Sequence, residues 1–507
     1  MIASEKTLTT YPQSSRFPSR SKTWFRSAWF RTSLIGVVFL AVVTGLLTNA
    51  PAVYIVGQLV LGCGVFISLW LLSDYPLINP VQAVIPAFYW WFGVGPAVIA
   101  AFRGILGDAD IALYAQQSAQ ISVYIVAIGL PVYAFLARRT ITWHARKRIF
   151  ARFLLPAGRN YQYGSVVLFF FIGFSSYLIL WLLSSLGMGG IEEINYLGGQ
   201  ITTVWWVGII AGLGQILTIA KSSVLSELVQ SGKDTSRGMK LMAAAVVLMS
   251  LFNAVTSGWK GAFVFIAVYI LMAYVSKNQK LPWKSMFVVL LMYLFVVEPF
   301  VASGRQMSQS MGISTSQERS LIYSEMIVEG RMFDQVSLGE LNVESPFRGI
   351  SVFAGEVARR STLLSGEWHG ETLIWGVAAI VPRLLYPAKP EMNIGNFFAQ
   401  QIGVDLGLVS SSDYFTNIAI TIPFEFIGNY GLIAGILSFG LIGVLWASLC
   451  SWLLSPERLS DHPLTPWLTV SVLTMEAAVG HFLAHWRSML LPFAVIYILR
   501  IFYKQKL

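Results

Sequence analysis

Charge is scarce in this chain: Asp, Glu, Lys and Arg make up 12% of its 507 residues, against about a quarter in an ordinary soluble domain. That shortage, with 55% hydrophobic residues and a mean hydropathy of +0.65, excludes a water-soluble globule. Cysteine is rarer still. Cys63 and Cys450 are the only two, each inside an apolar run with no Cys or His at ligand spacing, which leaves no disulfide framework and no structural zinc site. Alternating segments of about ten residues, the signature of a lipid-spanning β-barrel, are also missing. There is no fixed-period repeat, and no low-complexity tract apart from a polar tail over 1–31. A net charge of +10 would suit nucleic acid only if basic and stacking residues shared a soluble face, and here the positive charge mostly lies between apolar runs.

What the chain has in quantity is apolar runs of about 20 residues, long enough to cross the roughly 30 Å hydrocarbon layer as helices. The expected fold is an all-α integral membrane protein with about 12 spans: 33–48, 52–72, 81–102, 121–137, 165–187, 201–220, 241–257, 262–275, 285–301, 432–454, 466–486 and 488–503. The first run, followed by "APA" at 50–52, resembles a cleaved signal peptide, but a full span begins at once, so the pair reads as a helical hairpin. With the basic tail inside, alternation puts 24 of the 35 Lys and Arg in the cytoplasm and 11 outside, as the positive-inside bias requires. Both termini then lie in the cytoplasm.

Four regions follow: a basic tail (1–32), nine spans (33–301), one long extracytoplasmic segment (302–431) and three final spans (432–507). A connection this long is functional or disordered. "GISVFAGEVARRSTLL" and "ETLIWGVAAIVPRLLYP" within it have helical apolar periodicity, so short helices lying at the membrane surface or dipping into it are expected.

Eight outward basic residues fall in this segment, seven of them arginine. Arginine presents a planar fork that grips phosphate oxygens in pairs. The bland alternative pairs each with lipid headgroups or with Asp334, Glu340, Glu344, Glu356 or Glu367. Arg383, in "VPRLLYPAKP" (381–390), stands apart because prolines restrict the backbone on both sides.

The order of "SGWKG" (257–261), the long segment with "VPRLLYPAKP", and "IPFEFIGNYGLIAGILSFGLIGV" (422–444) resembles the Wzy-type oligosaccharide repeat-unit polymerases, relatives of the O-antigen polymerases and ligases. The resemblance implies a GT-C-like, metal-independent glycosyltransferase without a cofactor, in the bacterial cytoplasmic membrane. It would act on undecaprenyl-diphosphate-linked oligosaccharides, among membrane lipids and beside a chain-length regulator and flippase. Arginines would stabilise the leaving diphosphate: Arg305, Arg359, Arg360, Arg383, Lys389, Lys260 and Arg487. Lys260 stands where many relatives have arginine, and as a point charge it lacks the two-pronged grip.

A sugar hydroxyl attacks more readily with a base in reach. His369, in "SGEWHGET", brings an imidazole, a side chain able to accept a proton from a hydroxyl, although a lone loop histidine is more often a surface residue. His481 and His485, one helical turn apart in "HFLAHWR", are its rivals, and as a zinc pair they would need a third ligand. Asp413 and Glu425 are further candidates for the base or for holding sugar hydroxyls; Glu425 also reads as a surface carboxylate that favours its own helix N-terminus. "FYWWFG" (88–93) and "TVWWVG" (203–208) read as interfacial anchors rather than sugar platforms. Two other functions share these features. An O-antigen ligase uses nearly the same chemistry, and a flippase or secondary transporter would show two related halves, which the chain lacks.

Overall fold

The computed structural model describes residues 51–73, 79–96, 110–147, 163–185, 205–232, 235–257, 261–278, 282–297, 299–301, 350–381, 394–406, 418–454, 465–476 and 478–487, with single positions or short groups near 303–329 and at 386, 489 and 494. All secondary structure among them is helical. The helices are α1 (Pro51–Leu71), α2 (Pro80–Tyr89, continued by a π turn at Trp90–Val94), α3 (Asp110–Lys147), α4 (Tyr163–Ser185), α5 (Trp205–Ser231), α6 (Arg237–Ser257), α7 (Gly261–Asn278) and α8 (Trp283–Met292). Then come α9 (Ile350–Arg360), α10 (Glu371–Ile380), α11 (Ile394–Phe398, continued by a π turn at Ala399–Gly403), α12 (Ile422–Leu453) and α13 (Thr465–Ser471, continued by a 3-10 turn at Val472–Glu476). Gln120–His144, Lys284–Val301 and Ile422–Leu453 are long and apolar enough to cross a membrane. Helices suit such sequences because they satisfy every backbone group within the segment, where no water is available to do so.

Helices α1, α3 and α12 form the centre. Glycines bring them together: Gly64 backs onto the Ala127 backbone, Gly129 onto the Phe439 ring and Gly443 onto the Tyr133 carbonyl. A side chain at any of these would collide, and small residues at such crossings are how apolar helices approach without a hydrophobic drive between them. The order of contacts (Gly57 with Val123 and Gly64 with Ala127; Gly129 with Phe439 and Gly443 with Tyr133) makes the three helices run parallel.

Helix α2 returns antiparallel to α1, held by Gln82 Nε2 donating to the Leu72 carbonyl (2.7 Å) and Gln58 Nε2 donating to that of Gly93 (3.1 Å). Tyr133 Oη donates to Val81 O (2.6 Å) and Trp446 Nε1 to Pro80 O (2.9 Å), so the polar tips of two buried aromatics fix the start of α2. Phe88, Trp91 and Phe92 are buried here, with Phe92 stacked on Phe424 at 5.2 Å. Most of "FYWWFG" is thus core rather than the expected interfacial anchor.

Two expected spans differ from the helices observed. The run expected at 432–454 begins ten residues earlier, at Ile422, and bends at Gly431 (φ 83°, ψ 177°), a conformation open to glycine. The run expected at 466–486 is interrupted: α13 passes through the 3-10 turn to Glu476, and helix resumes only over 479–487. The expected span 33–48 lies outside the described residues, as does nearly all of 488–503.

Candidate functional site

Helices α9 to α11, the start of α12 and the break before 479–487 fold onto one another, and this cap gathers several of the expected site residues. Helix α9 contributes an ion cluster. Glu356, Arg359 and Arg360 share one helix face by their i, i+3 and i+4 spacing. Arg359 donates to both oxygens of Glu356, Nε to Oε2 (2.8 Å) and Nη2 to Oε1 (2.7 Å). Arg360 Nε donates to the same Oε1 (2.9 Å), while its Nη1 reaches Asp405 Oδ2 (2.9 Å) and the Gln401 carbonyl (3.1 Å). Glu367 lies 3.9 Å from that nitrogen. The Glu356 side chain is 1% exposed and that of Arg359 45%. Burial alone would raise the Glu356 carboxyl, but the hydrogen bonds and charges of Arg359 and Arg360 outweigh it and hold it below the ordinary carboxylate range. Both arginines, expected as diphosphate grips, are therefore engaged by carboxylates in this structure.

Residues 361–370 then cross the backbone of α12. Gly366 lies on the Gly428 carbonyl and the Asn429 backbone, with no room for a side chain. Trp368 N–H donates to Gly428 O (2.8 Å), and the Trp368 ring covers Gly428 and stacks on Phe398 at 5.1 Å. The carbonyls of Thr362 and Leu363 accept the Leu432 and Ile433 N–H groups. Those donors lose their intrahelical acceptors at the Gly431 bend, and the crossing loop replaces them. His369 comes next, exposed and in the left-handed region (φ 46°), followed by Gly370 (φ 92°) against the Tyr430 hydroxyl. A non-glycine residue held there is strained by its surroundings, a state that collects at functional positions.

Glu425 is fully buried, so it is not the surface carboxylate of the bland reading. Its Oε2 accepts the Val479 N–H, and the Thr372 hydroxyl lies close by. Asn429, one turn along, donates Nδ2 to Thr372 Oγ1 (2.7 Å) and to Glu425 O (2.7 Å). Thr421 N–H donates to Glu476 O (2.9 Å). The interruption at 476–479 is thus secured from both sides by the first residues of α12. Glu425 caps a helix other than its own, at the N-terminal turn where an anion is most favoured.

That segment, 479–487, carries His481 (exposed), His485 (3.4 Å from Ser471 Oγ) and the half-buried Arg487. Among the described residues no three His, Cys, Asp or Glu gather as a metal site. Gly376 of α10 packs against Gly480, docking α10 on the same segment.

Arg305, Lys260, Arg383, Lys389 and Asp413 lie outside the described residues. His369, Arg359, Arg360, Glu425 and Arg487 lie in the cap, but only Arg359 and Arg360 share a partner among the interactions given above. Sequence reasoning missed Asp405, Thr372 and Asn429. The i, i+4 spacing of Glu425 and Asn429 was a usable signal; Asp405 and Thr372 had none, because each meets its partner only through the fold.

A family model described as a domain of unknown function (DUF8712) matches residues 207–442, from α5 into α12. No curated protein and no solved structure matches the chain.

Proposed function

We propose that this chain is a polysaccharide polymerase of the bacterial cytoplasmic membrane, joining undecaprenyl-diphosphate-linked oligosaccharide repeat units on the outer face. The observation that carries the reading is the cap. Residues from 350–380, 394–406, 418–430, Glu476 and 478–487 pack together at the end of α12 away from the basic run 138–148, and they include the first part of "IPFEFIGNYGLIAGILSFGLIGV" (422–444), one of the three segments of the Wzy-type resemblance; most of "SGWKG" and "VPRLLYPAKP" lies outside the described residues. The parallel course of α1, α3 and α12 supports the alternation on which an outward cap depends.

In the reaction, a hydroxyl of one lipid-linked repeat unit attacks the anomeric carbon of the donor chain. The bond from that carbon to the diphosphate oxygen breaks, undecaprenyl diphosphate leaves with the electron pair, and the hydroxyl proton passes to a base. Charge grows on the departing diphosphate, so fixed cations there lower the barrier most. Arg383 and Lys389, with Arg305, Lys260 and Arg487, are the cations assigned to it. Arg359 and Arg360, tied to Glu356, shape the cap and present at most the exposed side of Arg359. His369, exposed on its strained turn, is the proton acceptor, with Asp413 as the alternative. Glu425 is a positioning residue, sealed away and bonded to Val479.

Purified protein in lipid vesicles, given the lipid-linked repeat unit, is expected to release undecaprenyl diphosphate and build a ladder of polymer. Arg383→Ala and Arg383→Lys should both fail, the lysine because it cannot grip two oxygens at once. Intact lipid-linked units after incubation with the wild-type protein would overturn the reading. The sequence also holds an Asp-x-Asp pair, Asp108 and Asp110, before the spanning part of α3. If arginines do the electrostatic work, a chelator leaves the yield of polymer unchanged; its abolition would bring this pair and a metal ion into the mechanism.

A further inference from the structure

The far end of the bundle from the cap has a feature that the polymerase reading does not use. Where α3 and α12 approach their C-terminal ends, a cavity of about 790 Å³ opens between them and the end of α1. Its lining mixes apolar side chains, among them Leu71, Phe135 and Val444, with the polar Arg138, Arg139, His144 and Ser448. His144 Nε2 lies 3.2 Å from Ser448 Oγ, which ties the two helices together across the floor. Arg139 is exposed, its guanidinium stacked on the Phe135 ring at 4.6 Å, with no carboxylate partner among the described residues. Stacking holds the planar fork in place while its N–H edge stays available, the condition for a bidentate grip on phosphate.

We propose that this cavity binds a phosphate group, supplied by an anionic phospholipid of the adjacent leaflet. Three features favour a lipid over a soluble phosphate. The opening lies where spanning helices end in a basic run, "RRTITWHARKR" (138–148), the level at which headgroups sit. Phe135 and Val444 of the lining belong to α3 and α12, on which Ile128, Leu441 and Leu445 are also exposed apolar surface able to carry acyl chains. Its volume exceeds what one phosphate fills and suits a headgroup with its glycerol.

The test uses the full-length protein in a neutral detergent, with melting temperature followed as lipid is added. Phosphatidylglycerol is expected to raise it in a saturable way, while phosphatidylethanolamine, whose headgroup has no net charge, and inorganic phosphate do not. Arg139→Gln should weaken the phosphatidylglycerol effect about tenfold in the concentration required, and Arg138→Gln/Arg139→Gln should abolish it. Lys240→Gln, which removes an exposed positive charge elsewhere, should leave it intact. Equal responses to the two lipids, or an equal loss with Lys240→Gln, would overturn the site. So would full protection by inorganic phosphate with no further gain from lipid. Because Arg139 is exposed and its substitution leaves the core untouched, a variant with unchanged basal melting and unchanged lipid response also refutes the proposal.

Discussion

At Glu356 one carboxylate serves two guanidinium groups, and losing its charge weakens its bonds to both, while Arg360 keeps Asp405. Glu356→Gln keeps the shape but exchanges charge-assisted bonds for neutral ones, a loss of about 2 kcal/mol. It should show as a lower melting temperature in detergent. The pH dependence has a fixed sign. A carboxyl held below its ordinary range binds its proton more readily in the unfolded chain, so its stabilisation is complete above that range and fades as pH falls through it and below. The wild-type protein should therefore lose melting temperature on acidification, and Glu356→Gln should flatten that slope. An identical slope in the variant would mean that other carboxyls set it.

Glu425 allows a sharper test because two roles predict different outcomes. Gln keeps an acceptor for the Val479 N–H, whereas Ala removes it and leaves a buried donor unpaired, at about 1–3 kcal/mol. As a positioning residue, Glu425→Gln should polymerise nearly as well as wild type, and Glu425→Ala should exchange the Val479 amide faster and lose activity. If Glu425→Gln folds normally but makes no polymer, the carboxylate itself takes part in the chemistry.

At the level of elements, the crossing of residues 362–368 over α12 decides the shape of the cap. Gly428→Ala would place a methyl 2.2 Å from the Trp368 ring, an overpacking that costs about 1–3 kcal/mol unless the loop lifts. The melting temperature should fall, and Trp368→Leu in the same chain should restore part of it by making room. A neutral Gly428→Ala would mean that the loop does not lie where the structure puts it.

This crossing also marks the limit of what sequence can tell. The helical periodicity of "GISVFAGEVARRSTLL" and "ETLIWGVAAIVPRLLYP" was sufficient to expect α9 and α10, though not their ends at Arg360 and Ile380, because a helix that buries one face shows it locally. Gly428-x-x-Gly431 was visible as a pattern, but its reason, a loop some sixty residues earlier in the chain, was not. The break at 476–479 was invisible for the same kind of cause. Hydropathy measures the length of an apolar run and not its continuity, and the groups that stabilise the break, Thr421 and Glu425, belong to another helix. Likewise Arg359 and Arg360 were legible as a basic pair, whereas the identity of the carboxylates holding them was a matter of packing.

Across the whole molecule, one helix pair has two distinct ends: a cap built on the start of α12, and a basic cavity where α3 and α12 end. The capped end is proposed to elongate a lipid-linked polysaccharide, using Arg383 to hold the leaving diphosphate. The most direct measurement separates surface polysaccharide by length on a gel, from a strain deleted for this gene and complemented with wild type, Arg383→Ala or Arg383→Lys. A polymerase that works through Arg383 gives single-repeat products from the deletion and from both variants, with long polymer restored by wild type alone. Long polymer persisting on the carrier lipid in the deleted strain would contradict it.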